Sequence, residues 1–357
     1  MKKRTSTMFV LISVLVLASM VLGACAQPTA APAPTEAPTT AAPAAPAAPA
    51  ATEAPAVAPT EAPAAPAEAK PLGTADNPIV MALAPSATAD QLTVGGDAIA
   101  KQLNELTGYS FKVIIPNSYT ALIEAMASGN AQIGWMPTFA YLLAKQKGAA
   151  NVALVTVRNG ADFYGAQYIA NVDSGFTAYF DPATNKNTAD AATALKQFDG
   201  KRPCFTDPLS TSGYIIPGGL LSQYSVKYKT PAAVQGHPAV VSALYVGGIC
   251  DFGATYVDAR TSIQNTYADV MDKIVVIWRT DNILPNDNVS YSSTMPTDVA
   301  AKVTQALLDM SGSDSGREIL KNMGYDIEGL KVAEDSFYDP FRAALQASGI
   351  DITTMVK

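Results

Sequence analysis

Short apolar runs that alternate with stretches of helical spacing constrain this chain most. The runs at 79–83, 111–115, 131–136 and 152–157 read as strands. Between them, 90–106, 118–126 and 138–147 repeat their apolar residues at helical intervals, with Leu92, Ile99, Leu103 and Leu106 forming one stripe. Gly108 stands where that first helix must stop, Ser118 where the next is capped, and Ser128-Gly129 where it closes. A β-α-β-α-β-α-β succession implies a mostly parallel sheet covered by helices.

The pattern then leaves and returns. An extended run at 164–172 leads away. It is followed by a helix at 188–198, a strand at 201–206, helices at 211–223 and 238–245, a strand at 250–255, a helix at 257–267 and a strand at 274–278. The run 283–291 reads as a return crossing, and 297–310, 315–323 and 335–347 as helices of the first unit. The expected architecture is α/β in two lobes, 72–165 with 285–357 and 166–284, joined by two crossing segments. Strand ends and helix N-termini then converge on the cleft between them.

The first 71 residues belong to neither lobe. Residues 1–24 have a basic start (Lys2, Lys3, Arg4), an apolar run and a small-residue end, which is a secretory signal. It closes as Leu22-Gly23-Ala24-Cys25, similar to the lipobox of bacterial lipoproteins, and so implies cleavage before Cys25 and lipid on that residue. The segment 25–71 holds 12 of the chain's 25 prolines and no aromatic residue. It cannot bury a core and reads as a tether. Cys204 and Cys250 remain; outside the cytoplasm such a pair is compatible with a disulfide or with two buried thiols.

The formal net charge is −7, and no basic patch of the kind nucleic-acid binding requires is present. An anionic ligand must therefore be held by local dipoles. The stretch 203–217 offers them: a short strand, a turn marked by Pro208, then Ser210-Thr211-Ser212 opening a helix. Free N–H groups and the positive end of the helix dipole suit an anion there, and an over-provided N-cap is the plainer alternative.

Further motifs line up with one family. They are 119–126 (YTALIEAM), 131–135 (AQIGW), 164–169 (YGAQYI), 207–214 (DPLSTSGY) with Pro217, and 236–240 (GHPAV). In order and spacing the body resembles the substrate-binding proteins of phosphonate/phosphite/phosphate ABC importers, a branch of the type II periplasmic binding-protein (Venus flytrap) fold. The resemblance implies a lipoprotein outside the cytoplasm, monomeric and without a cofactor. It would deliver a small phosphorus oxyanion to a membrane permease and its ATPase. It places Ser210, Thr211 and Ser212 on phosphorus-bound oxygens and His237, the only histidine, beside them as a donor that strengthens when protonated. It also places Tyr119 and Tyr164 in the cleft, and gives Asp258 an amino group or a shared proton; Tyr141 is left with the core.

A sulfonate or another small anion on the same fold is the nearest alternative. A secreted hydrolase is the more distant one, but no Gly-x-Ser-x-Gly elbow surrounds any serine, and no His-Glu-x-x-His or Cys/His cluster suggests a metal. A purely structural surface lipoprotein would leave the Tyr, Ser-Thr-Ser and His positions without a purpose.

Overall fold

The computed structural model describes residues 70–324, 326–350 and 352. The signal, Cys25 and nearly all of the tether lie outside the described residues. No helix among the described residues is long and apolar enough to cross a membrane.

The first unit opens with β1 (Ile79–Leu83), α1 (Ala89–Thr107), β2 (Phe111–Ile114), α2 (Tyr119–Ala127), β3 (Ile133–Met136), α3 (Thr138–Gln146) and β4 (Ala150–Val157). Local chemistry fixes the helix ends. Thr88 and Gln91 form a reciprocal capping box on α1, and Gly108 ends it in the left-handed region at φ 73°. Ser118 caps α2 by accepting from Ala121 N–H.

The chain then crosses to a second unit. This contains β5 (Ala166–Asn171), α4 (Ala191–Lys196), β6 (Pro203–Phe205), α5 (Ile216–Gln223), β7 (Ala232–Ala233), α6 (His237–Val246), β8 (Phe252–Tyr256) and β9 (Ile274–Arg279). It returns as β10 (Asn288–Ser292), α7 (Thr297–Gly312), α8 (Asp314–Lys321), β11 (Gly329–Val332) and α9 (Asp339–Ala347). The two crossings pair with each other, Tyr164 opposite Leu284 and Phe163 opposite Pro285.

Both sheets are mixed. The first runs β11-β4-β10-β3-β1-β2, and the second β7-β6-β8-β5-β9. The parallel heart, β2-β1-β3, is as expected. The returning β10 does not lie outside it but inserts antiparallel between β3 and β4. All five of its residues are buried, so both its faces serve the core. On one face of this sheet β1 packs with Ile99 and Leu103 of α1 and Val303 and Leu307 of α7. On the other lie Leu122 and Met126 of α2, Phe139 and Leu143 of α3, and Tyr338 and Phe341. Tyr141 stays in this core, its hydroxyl donating to Asp335 at 2.6 Å.

Two expected helices differ. The stretch 257–267 forms only a short turn at Ala259–Ile263, which Asp258 caps by accepting from Arg260 N–H. The helix expected at 211–223 starts with a wider turn, Thr211–Ile215, before α5. Pro217 has no N–H for the Gly213 carbonyl, and Thr206 N–H bonds it instead at 3.2 Å. Cys204 and Cys250 are joined as a disulfide with Cα atoms 5.5 Å apart.

Candidate functional site

The loop between β6 and α5 faces the first unit. Asp207 turns one carboxylate oxygen to Leu209 N–H at 2.8 Å and the other across the cleft to Tyr119 N–H at 3.0 Å. Thr211 Oγ1 accepts from Phe139 N–H at 3.0 Å, also across the cleft. A third bond between the units runs from His237 N–H to the Ser86 carbonyl at 3.1 Å. Gly236, at φ +79°, makes that approach possible, since a Cβ there would lie 3.1 Å from the Ser86 oxygen. Gly213 is required for space: a Cβ would meet Thr206 Oγ1 at 2.1 Å and Ser210 Oγ at 2.9 Å.

These contacts enclose a narrow cavity of about 10 Å³, lined by Ser86, Tyr119, Pro137, Arg158, Tyr164, Ser210, Ser212, His237, Tyr256 and Asp287. Five residues expected at the site are therefore brought together: Ser210 and Ser212, Tyr119 and Tyr164, and His237. Tyr164 donates to Ser212 Oγ at 3.3 Å, and burial raises its phenol above the ordinary value, so it stays a neutral donor.

Thr211 and Asp258 are not among the lining residues. Thr211 is fully buried, and its hydroxyl oxygen serves the bond to Phe139. It bridges the units and also reaches the hydroxyl of Tyr164, which lines the cavity. Asp258 lines a separate, outer cavity of about 810 Å³. Burial would raise its pKa, but Arg260, Gln167 and Arg279 hold it below the ordinary carboxylate value. Arg260 Nη2 and Arg279 Nη2 reach it at 2.6 and 2.7 Å, and Gln167 Nε2 at 3.0 Å. Its carboxylate oxygens are thus engaged by protein side chains, away from the inner cavity.

His237 is 4% exposed, and its Nδ1 is buried without a hydrogen-bond partner. Burial, reinforced by the positive Arg158, pushes its pKa down to about 3. The expected gain from imidazolium is therefore corrected: at neutral pH the free protein presents a neutral ring that donates from one nitrogen and accepts at the other. A buried polar atom left unsatisfied costs on the order of 1–3 kcal/mol, and its natural remedy is a bound group.

Two lining residues carry charge that the sequence did not announce. Arg158 directly follows β4 and brings a positive charge to the cavity wall. Asp287 stands on the return crossing just before β10. Its exposure is intermediate because it lines the cavity, yet burial raises its pKa to about 6, with Arg158 opposing a larger rise. The available signal was slight: Arg158 follows an apolar strand, and Asp287 sits in Asn286-Asp287-Asn288, a polar patch inside an otherwise apolar crossing. Together the wall offers hydroxyls, an imidazole and a guanidinium to oxyanion oxygens, and a carboxyl able to share one proton with them.

Known proteins resemble this chain in sequence and in fold. The family model for the periplasmic substrate-binding protein of phosphonate ABC transporters matches residues 81–338. The phosphate-import protein PhnD of Mycolicibacterium smegmatis is 28% identical over 222 residues, which is 57% of this chain and 63% of that protein. The chain thus matches less than two thirds of that relative's length. A binding-protein component of a phosphonate ABC transporter from Pseudomonas aeruginosa has a TM-score of 0.66 at 18% identity, over 76% of this chain and 86% of that one. PhnD1 of Prochlorococcus marinus, solved in complex with methylphosphonate, has the same TM-score at 14% identity, over 76% and 98%. At these identities the two structures establish the fold, that of a type II periplasmic binding protein.

Proposed function

The chain belongs to the family of periplasmic substrate-binding proteins of phosphonate ABC transporters, and from that premise we propose that it binds a phosphorus oxyanion in the inner cavity and hands it to a membrane permease. The family is one of transport binding proteins rather than enzymes. The observation that carries the ligand assignment is the unpartnered, buried Nδ1 of His237, a residue that lines the same cavity as Ser210, Ser212, Tyr164 and Asp287. A tetrahedral oxyanion supplies acceptors for the hydroxyls, negative charge for Arg158 and a proton for Asp287 to share.

Binding and closure are coupled in this reading. Tyr119, Pro137 and Asp287 belong to the first unit; Ser210, Ser212 and His237 belong to the second. Ligand engages both, and the bonds from Asp207, Thr211 and Ser86 then hold the closed form that the permease recognises. The signal peptide, the lipid on Cys25 and the tether of 25–71 complete the reading as a monomer anchored at the outer face of the cell membrane. Mass spectrometry of the mature protein is expected to find an N-terminal Cys25 carrying lipid; an unmodified N-terminus would remove the anchor.

The pH dependence of binding tests the ligand assignment and separates its members. Above about pH 6 Asp287 is ionised. The dianions of methylphosphonate and phosphite carry no acidic proton, so the complex must take one from solution. Their affinity is expected to fall about tenfold per pH unit once both partners are deprotonated. The phosphate dianion keeps a proton, and its affinity stays level over the same range. Taurine, whose sulfonate has none to share, is expected to bind weakly throughout. Calorimetry across pH 5–9 reads all four; taurine binding as tightly as the phosphorus compounds would overturn the assignment.

A further inference from the structure

The inner and outer cavities share two wall residues, Arg158 and Tyr256. Arg158 directly follows β4 in the first unit, and Tyr256 ends β8 in the second. The guanidinium carbon lies 4.8 Å from the centre of the Tyr256 ring. The His237 ring meets the same tyrosine edge-to-face at a centroid distance of 4.8 Å. Tyr256 is therefore fixed from two sides and is 7% exposed. On its inner side the space is about 10 Å³; on its outer side it is about 810 Å³.

We propose that the Arg158–Tyr256 contact is the size filter of the site: it closes the oxyanion cavity against ligands whose phosphorus carries a bulky substituent. The filter rests on the phosphorus-oxyanion reading and adds which members of that class are admitted. The cation–π contact forms between the two units, so it is made only when they close. A ligand with a longer arm must push that arm through the plane of Tyr256 toward the outer cavity. Closure around it then forces the ring off Arg158 and against His237. A close-packed wall resists such intrusion strongly, whereas the open volume beyond it does not.

The test compares methylphosphonate with phenylphosphonate by calorimetry on the wild type and on Tyr256→Ala, Tyr256→Leu and Tyr256→Phe. The wild type is expected to bind phenylphosphonate about 100-fold more weakly than methylphosphonate. Tyr256→Ala joins the two cavities and is expected to bring the ratio within about tenfold. Tyr256→Leu moves the ratio in the same direction and decides the matter if the alanine variant does not fold. Tyr256→Phe keeps the ring, and therefore the wild-type ratio, which separates exclusion by size from hydrogen bonding by the phenol. A wild type that binds both ligands equally overturns the filter. So does a folded Tyr256→Ala or Tyr256→Leu protein that binds methylphosphonate and still refuses phenylphosphonate. Failure of the wild type to bind phosphate, phosphite or methylphosphonate at all is a different result, and it removes the functional reading beneath.

Discussion

Replacing Asp287 by Asn is expected to make the ligand-free protein more stable above pH 6 and to erase the pH dependence of methylphosphonate binding. Folded Asp287 titrates at about 6, against an ordinary value of 3.8. Below 3.8 the carboxyl is protonated in folded and unfolded chains alike and carries no penalty. Between 3.8 and about 6 the unfolded chain releases its proton first, so folding stability falls as pH rises. Above about 6 both states are ionised, and the fold bears the whole cost of burying a carboxylate. A shift of about two units corresponds to about 3 kcal/mol, an upper figure because Arg158 and cavity water relieve part of it. Asn removes that charge at nearly constant volume. Its amide also mimics a protonated carboxyl by donating to a proton-free dianion, so no proton need be taken up on binding. Thermal melts should show the variant gaining on the wild type at pH 5 and by about twice as much at pH 8. Calorimetry should show a flat affinity for methylphosphonate where the wild type declines. A variant that is no more stable at pH 8 and keeps the wild-type slope would mean that Asp287 neither bears the charge penalty nor shares the proton.

A group that destabilises the empty protein and helps the loaded one is a mark of a binding site, and it explains what was legible in the sequence. The strand and helix succession of the first unit was readable because each signal is local: Thr88 and Ser118 cap, Gly108 ends, and the apolar stripes repeat within one element. The place of β10 was not readable. Its five buried residues announce a strand but not that it inserts between β3 and β4, since strand order is decided by tertiary pairing. The stretch after β8 failed as a helix for a similar reason. Asp258 is held by Arg279, a partner 21 positions away, and no local rule contains that contact. At the site, the hydroxyl loop was legible because Pro208 and the Ser210 cap mark a turn and a helix start. Arg158 and Asp287 were not, because a lone charged residue at a strand end looks like a solvated terminus until the fold turns it inward. Thr211 looked equivalent to its two neighbours. Its hydroxyl oxygen is taken by Phe139 N–H, a partner from the other unit that no local signal at 210–212 contains, and only its two neighbours line the cavity.

Removing the disulfide is expected to cost the protein much of its stability and little of its affinity. Cys204 and Cys250 close a loop of 46 residues that contains the hydroxyl turn, α5 and all of α6. Restricting that loop in the unfolded chain contributes about 4 kcal/mol in the chain-entropy account. For a body of this size the melting temperature should fall by roughly 10 °C. The bridge joins neighbouring strands near their beginnings, since Cys204 stands opposite Gly253 in the parallel β6–β8 pair. The cavity residues lie at the other end, with Ser210 and Ser212 following β6 and Tyr256 ending β8. Strand pairing and the packed core around Phe205, Phe252 and Phe198 therefore keep the binding end in place once the chain is folded. Calorimetry at 20 °C on a Cys204→Ser/Cys250→Ser protein should give an affinity within about twofold of the wild type, while melting scans show the loss. A folded variant with normal melting and weakened binding would put the bridge in service of the site instead. The separation has a physical basis: a cross-link acts chiefly on the unfolded chain, whereas the ligand sees only groups already aligned in the folded one.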